Sequence, residues 1–140
     1  MKKPLIAIVD GQGGRIGQML CEKLAEKVPH CELLAIGTNS IATANMLKTK
    51  ACQGATGENP VLRAARKADI IVGPVGMIMA DALFGEITPA MAQAIAQSDA
   101  YKILIPVNRC QHYLCGLKDV PLSTLIDEAV SQVISFLESA

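Results

Sequence analysis

The sequence has no excess of charge and few aromatic residues. Its 13 basic and 13 acidic side chains cancel, and aromatic residues make up only 3% of the chain. Proteins that bind nucleic acid need a basic surface to meet the phosphate backbone, often together with aromatic side chains that stack on bases. Neither a basic stripe nor an aromatic cluster is present. We therefore expect no nucleic-acid partner.

Long apolar runs are also missing. No stretch approaches the roughly 20 apolar residues that a membrane-spanning helix requires. The first residues, Met1–Pro4, lead directly into a predicted strand that is too short for the core of a signal peptide. We therefore expect no membrane partner and a cytoplasmic location.

The five cysteines contain no C-x-x-C pair, and their number is odd. In a reducing compartment such cysteines are most simply small buried hydrophobic residues. Cys110, His112 and Cys115 lie close together in the sequence, but their spacing matches no common zinc pattern. We therefore expect no metal site.

What the chain does have is a high apolar content. Of its 140 residues, 51% are hydrophobic, and the mean hydropathy is +0.34. This length is typical of a single domain, residues 1–140. The apolar excess indicates either a sheet that is covered on both faces or an apolar surface buried between subunits. We accordingly expect a homodimer or a larger homo-oligomer.

The most informative stretch is residues 4–21, which read PLIAIVDGQGGRIGQMLC. The apolar run over 5–9 is typical of a strand buried in a parallel sheet, and apolar residues at helical spacing begin at Ile16. Four glycines accompany this change of pattern: Gly11, Gly13, Gly14 and Gly17. A strand, a glycine turn and a helix form the first half of a mononucleotide-binding unit, in which the start of the helix favours a phosphate.

The motif is a loose form of the dinucleotide fingerprint. In G-x-G-x-x-G the third glycine would fall on Ile16, whereas the wider spacing Gly11, Gly14, Gly17 does hold. We predict that the whole turn binds phosphate, through Gly11, Gln12, Gly13, Gly14, Arg15, Ile16 and Gly17. The alternative is that the glycines only let the helix and the strand pack closely, with no ligand bound.

Further apolar runs predict four more strands, over 32–37, within 51–58, over 69–72 and over 102–107. We predict a three-layer, Rossmann-like α/β sandwich with a mostly parallel five-stranded sheet in the order 3-2-1-4-5, and a possible short sixth strand over 113–117. Helices are expected over 41–48, 61–68, 77–84 and 90–97 and after Pro121, with Asn59 as the cap of the second of them.

The second strand is followed by polar residues without an acid. In dinucleotide sites an Asp or Glu at this point usually holds the ribose hydroxyls. Here Thr38 and Asn39 take that place. We predict that the Thr38 hydroxyl and the Asn39 amide donate hydrogen bonds to a ribose or a 2′-phosphate. The alternative is that Asn39 or Ser40 simply caps the next helix.

Two further groups follow later strands. Gly73, Pro74 and Gly76 form a second glycine turn after the fourth strand, and Asn108 and Arg109 follow the fifth. Because parallel strands end at the same edge of a sheet, we expect these residues to line one cleft with the first turn. The Asn108 amide can donate and accept, and the Arg109 guanidinium suits a phosphate. In the alternative interpretation Asn108 caps a turn and Arg109 is solvated.

These stretches resemble known families. The segments VDGQGGRIG, GATGEN, ADIIVGPVG, GEITPAMAQAI and KILIPVNRC are together similar, over nearly the full length, to a family of short bacterial Rossmann-like proteins without an assigned function, which implies a fold but no activity. The segment IAIVDGQGGRIGQML resembles the NAD(P)H-binding turn of dihydrodipicolinate reductases. Residues 68–108 follow the order of elements in the phospholactate transferase and gluconeogenesis-factor superfamily, where the corresponding segment forms part of a nucleotide-linked site.

Three functions remain open. The first is a nucleotide-binding domain that uses residues 11–17 and 73–76 for the phosphates of NAD(P) or another nucleotide. The second is a non-catalytic scaffold or regulatory subunit that acts through an oligomer interface. The third is an NAD(P)-dependent oxidoreductase, in which a partner subunit would complete the site because the chain has no room for a substrate domain. Whether the protein is an enzyme is not decided by the sequence.

Overall fold

The computed structural model describes residues 2–107 and 112–140 and contains a five-stranded, all-parallel sheet with helices on both faces. The strands are β1 (Leu5–Asp10), β2 (Glu32–Gly37), β3 (Gln53–Thr56), β4 (Ile70–Pro74) and β5 (Tyr101–Ile105). The α-helices are α1 (Arg15–Lys27), α2 (Ser40–Met46), α3 (Glu58–Lys67), α4 (Pro89–Gln97) and α5 (Leu122–Ser139). Short 3₁₀ helices, Leu47–Thr49 and Val75–Ile78, follow α2 and β4.

The strand order is β3-β2-β1-β4-β5, which confirms the predicted three-layer α/β fold. β1 is central, and Ile8 lies opposite Ala35 of β2 on one side and Val72 of β4 on the other. The chain builds the sheet outward from β1 to β3 and then crosses back to β4, so the order reverses between β1 and β4. Open α/β sheets bind their ligands beside such a reversal, at the carboxyl ends of the strands.

Each face of the sheet is covered by its own hydrophobic core. α1 and α5 pack on one face, against Ile6 and Ile8 of β1, whereas α3 and α4 pack on the other, against Ala7 and Val9. All four of these β1 residues are at most 1% exposed. A strand that is covered on both faces is apolar at every position, which explains the uninterrupted apolar run over 5–9.

The longest helix, α5, has 18 residues but only one apolar face. Ile126, Ala129, Val130 and Val133 are buried against the sheet, while the opposite face is polar and exposed. In the ranges 2–107 and 112–140, no helix combines the length and the apolar character needed to cross a membrane.

Two helix starts are settled by their caps. Oδ1 of Asn39 accepts a hydrogen bond from the N–H of Ala42 at 2.9 Å, so Asn39 rather than Ser40 caps α2. α3 begins earlier than predicted, with Gly57 at the cap position. Asn59, the predicted cap, therefore lies inside the first turn of α3, and its assignment as a cap is wrong.

The predicted helix over 77–84 does not form. After the 3₁₀ helix, residues 79–87 make a series of turns, which we call the cover loop. Met77, Ala82 and Ile87 are all buried in the core beside α4. In a helix with 3.6 residues per turn, side chains spaced five residues apart would point in three different directions. Burying these three side chains together therefore requires an irregular backbone.

The backbone of the cover loop is unusual. Asp81, Leu83 and Phe84 have positive φ angles of 66°, 57° and 56°. The left-handed region is unfavourable for residues with a side chain, so other contacts must hold the loop in place. The loop is closed at its base, where the N–H of Asp81 donates to the carbonyl of Ile87 at 2.7 Å.

The possible sixth strand is absent from the part of the chain that the structure describes. Gly116 has a φ of 82°, and the N–H of Leu117 donates to the carbonyl of Leu114 at 3.3 Å, which closes a turn. A turn over 114–117 leaves no extended segment to pair with the free edge of β5.

Candidate functional site

The glycine turn lies between β1 and α1, at the carboxyl edge of the sheet. Gly14 reverses the chain with a φ of 71°, and its N–H donates to the carbonyl of Gly11 at 2.9 Å. A Cβ on Gly14 would lie 2.7 Å from the backbone oxygen of Ala42 in α2. Gly14 is therefore required both by the shape of the turn and by the packing of α2 against it.

Two other glycines of the turn are also explained by close packing. A Cβ on Gly11 would lie 2.6 Å from Oγ1 of Thr38, and one on Gly17 would lie 2.7 Å from Cε of Met46. Gly13 differs, because it is exposed and nothing lies within 4 Å of the position of its missing Cβ. The bare face of Gly13 is therefore the part of the turn that a ligand can approach.

A buried carboxylate occupies the inside of the turn. Asp10, the last residue of β1, is only 6% exposed. Its Oδ1 accepts from the N–H of Gly11 at 2.8 Å, and its Oδ2 accepts from the N–H of Gly17 at 2.7 Å. Gly17 is the third residue of α1, whose N–H is usually taken by a capping side chain, and Gly14 has none to offer. Asp10 therefore caps α1 from the preceding strand.

Opposing effects act on the pKa of Asp10. Burial desolvates the carboxylate and raises the pKa of Asp10, and the nearby carboxylate of Glu86 also raises it. The hydrogen bonds from Gly17 and Gly11 lower the pKa, but the net shift is upward. Because this carboxylate already occupies the inner N–H groups, a phosphate has access only to the outer rim of the turn. Within the described residues, the backbone N–H groups of Gly13 and Arg15 have no hydrogen-bond partner, and we call these two groups the rim of the turn.

A second carboxylate reaches the turn from the cover loop. Oε1 of Glu86 accepts three hydrogen bonds: from the N–H of Gln12 at 2.9 Å, from Oγ1 of Thr38 at 2.6 Å and from Nδ2 of Asn39 at 2.9 Å. Gln12 belongs to the glycine turn, whereas Thr38 and Asn39 follow β2. Glu86 therefore ties together the ends of two neighbouring strands.

The hydrogen bonds to Glu86 favour its ionised form. Its partial burial by itself raises the pKa, but the hydrogen bonds from Thr38, Gln12 and Asn39 outweigh burial and lower the pKa of Glu86 below its ordinary value. Asp10 and Glu86 are not joined by further metal-binding groups, since no cluster of three or more His, Cys, Asp or Glu side chains occurs in ranges 2–107 and 112–140.

The cover loop also closes over the turn. Cδ1 of Leu83 lies 2.7 Å from the position that a Cβ on Gly11 would take. A cleft of about 100 Å³ remains beside it, lined by residues 10–16 and by Pro74, Leu83, Val107 and Leu122. A neighbouring cleft of about 30 Å³ shares Pro74, Leu83 and Val107 and adds Gly76 and His112 to its lining. Pockets for small molecules usually measure roughly 300–1,000 Å³, so these clefts are too small for a nucleotide unless the part of the cover loop around Leu83 moves.

Larger clefts lie away from this edge. One of about 600 Å³ lies at the opposite edge of the sheet, between Lys3, Asp69 and Phe136. Another of about 300 Å³ runs between β5 and α5. We place the candidate site at the carboxyl edge, although its cleft is smaller, because parallel α/β sheets bind ligands there and because the polar groups converge there.

The structure brings part of the predicted site together. Gln12, Thr38 and Asn39 donate hydrogen bonds to Glu86. Residues 11–16 and Pro74 line one cleft, whereas Gly17 is buried in α1 and does not line it. Gly76 lies in the 3₁₀ helix and lines only the neighbouring cleft. Gly73 is buried in β4, where a Cβ would collide with the carbonyl oxygen of Val9, so it serves the packing of the strands. Asn108, Arg109 and Cys110 lie outside the described residues.

Sequence reasoning missed both carboxylates. Asp10 had a local signal, since it is a charged residue at the end of an otherwise apolar strand and directly before the glycines. Glu86 had none, because it lies 74 positions from Gln12, between the helices predicted over 77–84 and 90–97. Its position depends on the irregular path of the cover loop.

The open parallel sheet with helices on both faces, a glycine turn after β1 and polar groups at the carboxyl edge define a doubly wound α/β protein. Residues 5–138 match the family described as "Domain of unknown function (DUF3842)", and the chain belongs to this family. No protein with a curated description matches the chain. The function must therefore be argued from the site itself.

Proposed function

We propose that the protein binds a nucleotide or a dinucleotide such as NAD(P) at the carboxyl edge of its sheet, in the manner of Rossmann-like proteins. The observation that carries this proposal is the hydrogen-bonded cluster of Gln12, Thr38, Asn39 and Glu86. It combines the glycine turn with the end of β2, the two places that hold phosphate and ribose in dinucleotide sites.

The phosphate group binds on the outer rim of the turn. The backbone N–H groups of Gly13 and Arg15 make no hydrogen bond to Asp10 and have no other partner within the described residues. Arg15 is also exposed, so its guanidinium can meet a phosphate with two parallel hydrogen bonds. The start of α1 adds a favourable dipole, which Asp10 partly offsets.

The base or the nicotinamide ring binds in the apolar part of the cleft. Pro74, Leu83 and Val107 supply its walls. The part of the cover loop that carries Leu83 must move to admit the ring, while Glu86 keeps its hydrogen bonds to Gln12, Thr38 and Asn39. Two features suit such a movement: the positive φ angles of Asp81, Leu83 and Phe84, and the 91% exposure of the Phe84 side chain. Strained backbone of this kind is common at ligand clamps and switch segments.

Direct binding measurements test the proposal. A thermal-shift screen of nucleoside diphosphates and triphosphates, NAD⁺ and NADP⁺ should raise the melting temperature for at least one of them, because a ligand of the native state stabilises it. Isothermal titration should then show weaker binding to Arg15→Ala and unchanged binding to Arg63→Ala, which removes an exposed arginine from α3. The absence of any shift at millimolar nucleotide would refute the proposal.

A second candidate function is a scaffold or regulatory subunit that acts as a homo-oligomer. β5 is an edge strand of the described sheet, and the groove beside it is lined by Ile103, Ile105, Leu125 and Ala129. The formal net charge is zero, so two copies would not repel each other. Sedimentation at micromolar concentration tests this candidate, which predicts a dimer or larger particle that Leu125→Glu converts to a monomer.

The state of the cysteines supports a cytoplasmic location as part of the proposal. Four of them, Cys21, Cys31, Cys52 and Cys115, are free thiols. Cys21 and Cys31 are buried, as expected for small hydrophobic residues in a reducing compartment.

A further inference from the structure

We propose that Glu86 binds the ribose hydroxyls of the nucleotide and thereby excludes nucleotides that carry a 2′-phosphate. This inference rests on the proposed function, because it concerns the same site. It names the residue that selects the ligand and the ligand class that it selects, namely nucleotides with a free 2′,3′-diol such as NAD⁺ or ADP.

The position of the carboxylate is the first argument. In dinucleotide sites the acid that holds the ribose lies at the end of β2, and here that place carries Thr38 and Asn39 instead. Both side chains donate to Oε1 of Glu86, at 2.6 and 2.9 Å. The cover loop, which follows β4, therefore delivers to the end of β2 the carboxylate that the local sequence lacks.

The second argument concerns the other oxygen of Glu86. All the hydrogen bonds that Glu86 accepts within the described residues go to Oε1, which leaves Oε2 without one. No buried side-chain oxygen or nitrogen is left unpaired in the described part of the chain, so Oε2 must be open to solvent. A carboxylate oxygen has two lone pairs and can accept both hydroxyl protons of a diol.

The third argument is that the carboxylate is fixed as well as exposed. Three donors from three residues hold Oε1, so Glu86 cannot swing aside without losing them. The ion pair within ranges 2–107 and 112–140 is Lys23 with Asp127, and it does not involve Glu86. A 2′-phosphate would place further negative charge against an anchored carboxylate that no described cation neutralises, and such repulsion is an effective means of selection.

Paired titrations test this inference. The wild type should bind NAD⁺ at least about tenfold more tightly than NADP⁺, since one buried or anchored charge contact is worth about that factor. Glu86→Gln should weaken NAD⁺ binding and bring the ratio of the two affinities close to one. Glu26→Gln, which removes the same charge from the exposed face of α1, should change neither affinity.

A change in the ligand provides the complementary test. The wild type should lose about tenfold in affinity when ADP is replaced by 2′-deoxy-ADP, whereas Glu86→Gln should show little difference between the two. Thr38→Val, which removes one anchor of the carboxylate, should give an intermediate loss. Thermal melting of each variant without ligand shows that the change in affinity does not come from unfolding.

The outcomes separate the inference from the proposed function. If the wild type and Glu86→Gln both bind nucleotides with the same ratio of NAD⁺ to NADP⁺ affinity, nucleotide binding stands and the role of Glu86 is wrong. A wild type that prefers NADP⁺ would overturn the inference in the same way. If the wild type binds none of these ligands, both proposals fail together.

Discussion

The carboxylate of Glu86 accepts a hydrogen bond from the backbone N–H of Gln12 at 2.9 Å, although 74 positions separate the two residues in the chain. This contact places the cover loop directly on the glycine turn. The sequence predicts that the N–H of Gln12 binds a phosphate, but in the structure this N–H donates to the Glu86 side chain. A ligand must therefore use the rim of the turn or displace the loop.

Gly13→Val tests whether the phosphate binds at the rim of the glycine turn. The position has open space around its missing Cβ and no positive φ, so the variant should fold with a free energy of unfolding within about 0.5 kcal/mol of the wild type. Nucleotide affinity should fall at least about tenfold, because the side chain would cover the two free N–H groups. Denaturant unfolding and isothermal titration measure the two effects. Unchanged affinity in the folded variant would place the phosphate elsewhere.

Gly14→Val cannot test ligand binding in the same way, because a side chain at this position should disturb folding. Its φ of 71° and the backbone oxygen 2.7 Å from a Cβ at this position leave no room for a side chain. We expect Gly14→Val to destabilise the protein by about 2 kcal/mol or more, through strain and through displacement of α2. It is therefore the matched comparison that separates the folding role of the turn from its binding role.

Gly11→Ala should loosen the cover loop. A Cβ at this position would lie 2.7 Å from Cδ1 of Leu83 and 2.9 Å from Oε1 of Glu86, and both side chains belong to the loop. We expect faster amide hydrogen exchange across residues 79–87 and a loss of about 1–3 kcal/mol in stability. Gly13→Ala is the control and should leave the exchange of these amides as in the wild type. Protection equal to the wild type in Gly11→Ala would show that the loop does not rest on Gly11.

Asp10→Asn tests the internal cap. An asparagine can accept from only one of the N–H groups of Gly11 and Gly17, and its own NH₂ would face the other donor. We therefore expect a loss of about 1–3 kcal/mol in the free energy of unfolding at neutral pH.

The contribution of Asp10 to the free energy of unfolding depends on pH, and the direction of this dependence follows from its pKa. Because the pKa of Asp10 is raised in the folded protein, the native state binds the proton more readily than the unfolded state. The contribution of this group to stability therefore rises as the pH falls from the folded pKa to the ordinary pKa of 3.8, and it is smallest at neutral pH. Relative to Asp10→Asn, the wild type should become more stable as the pH falls through that window. A constant difference would show that the carboxylate keeps an ordinary pKa.

The contribution of Glu86 to stability should have the opposite pH dependence to that of Asp10. Its pKa is lowered in the folded protein, so its contribution to stability is present above the ordinary pKa of 4.5 and is lost as the pH falls through the folded pKa. Glu86→Gln should accordingly be less stable than the wild type at neutral pH, and the difference should shrink in acid. Denaturant unfolding at several pH values measures it. A difference that grows as the pH falls would contradict the hydrogen-bonded, ionised Glu86.

The strands were predictable because their signals are local. The apolar run over 5–9 and the exact bounds of β2, Glu32–Gly37, follow from residues that are neighbours in the chain. The strand order followed from the alternation of strands and helices and from the glycine turn after β1. The helix over 77–84 was predicted wrongly because the local pattern does not show which buried surface each apolar residue must reach.

The sequence by itself determined the parallel α/β fold, the glycine turn and the polar end of β2, since each of these depends on the chemistry of adjacent residues. Only the tertiary structure decided what fills the turn. Asp10 takes its inner N–H groups, and Glu86 arrives from the cover loop across the edge of the sheet. Hydrogen bonds between distant segments depend on how the elements pack, and packing brings together residues such as Gln12 and Glu86 that no local pattern connects.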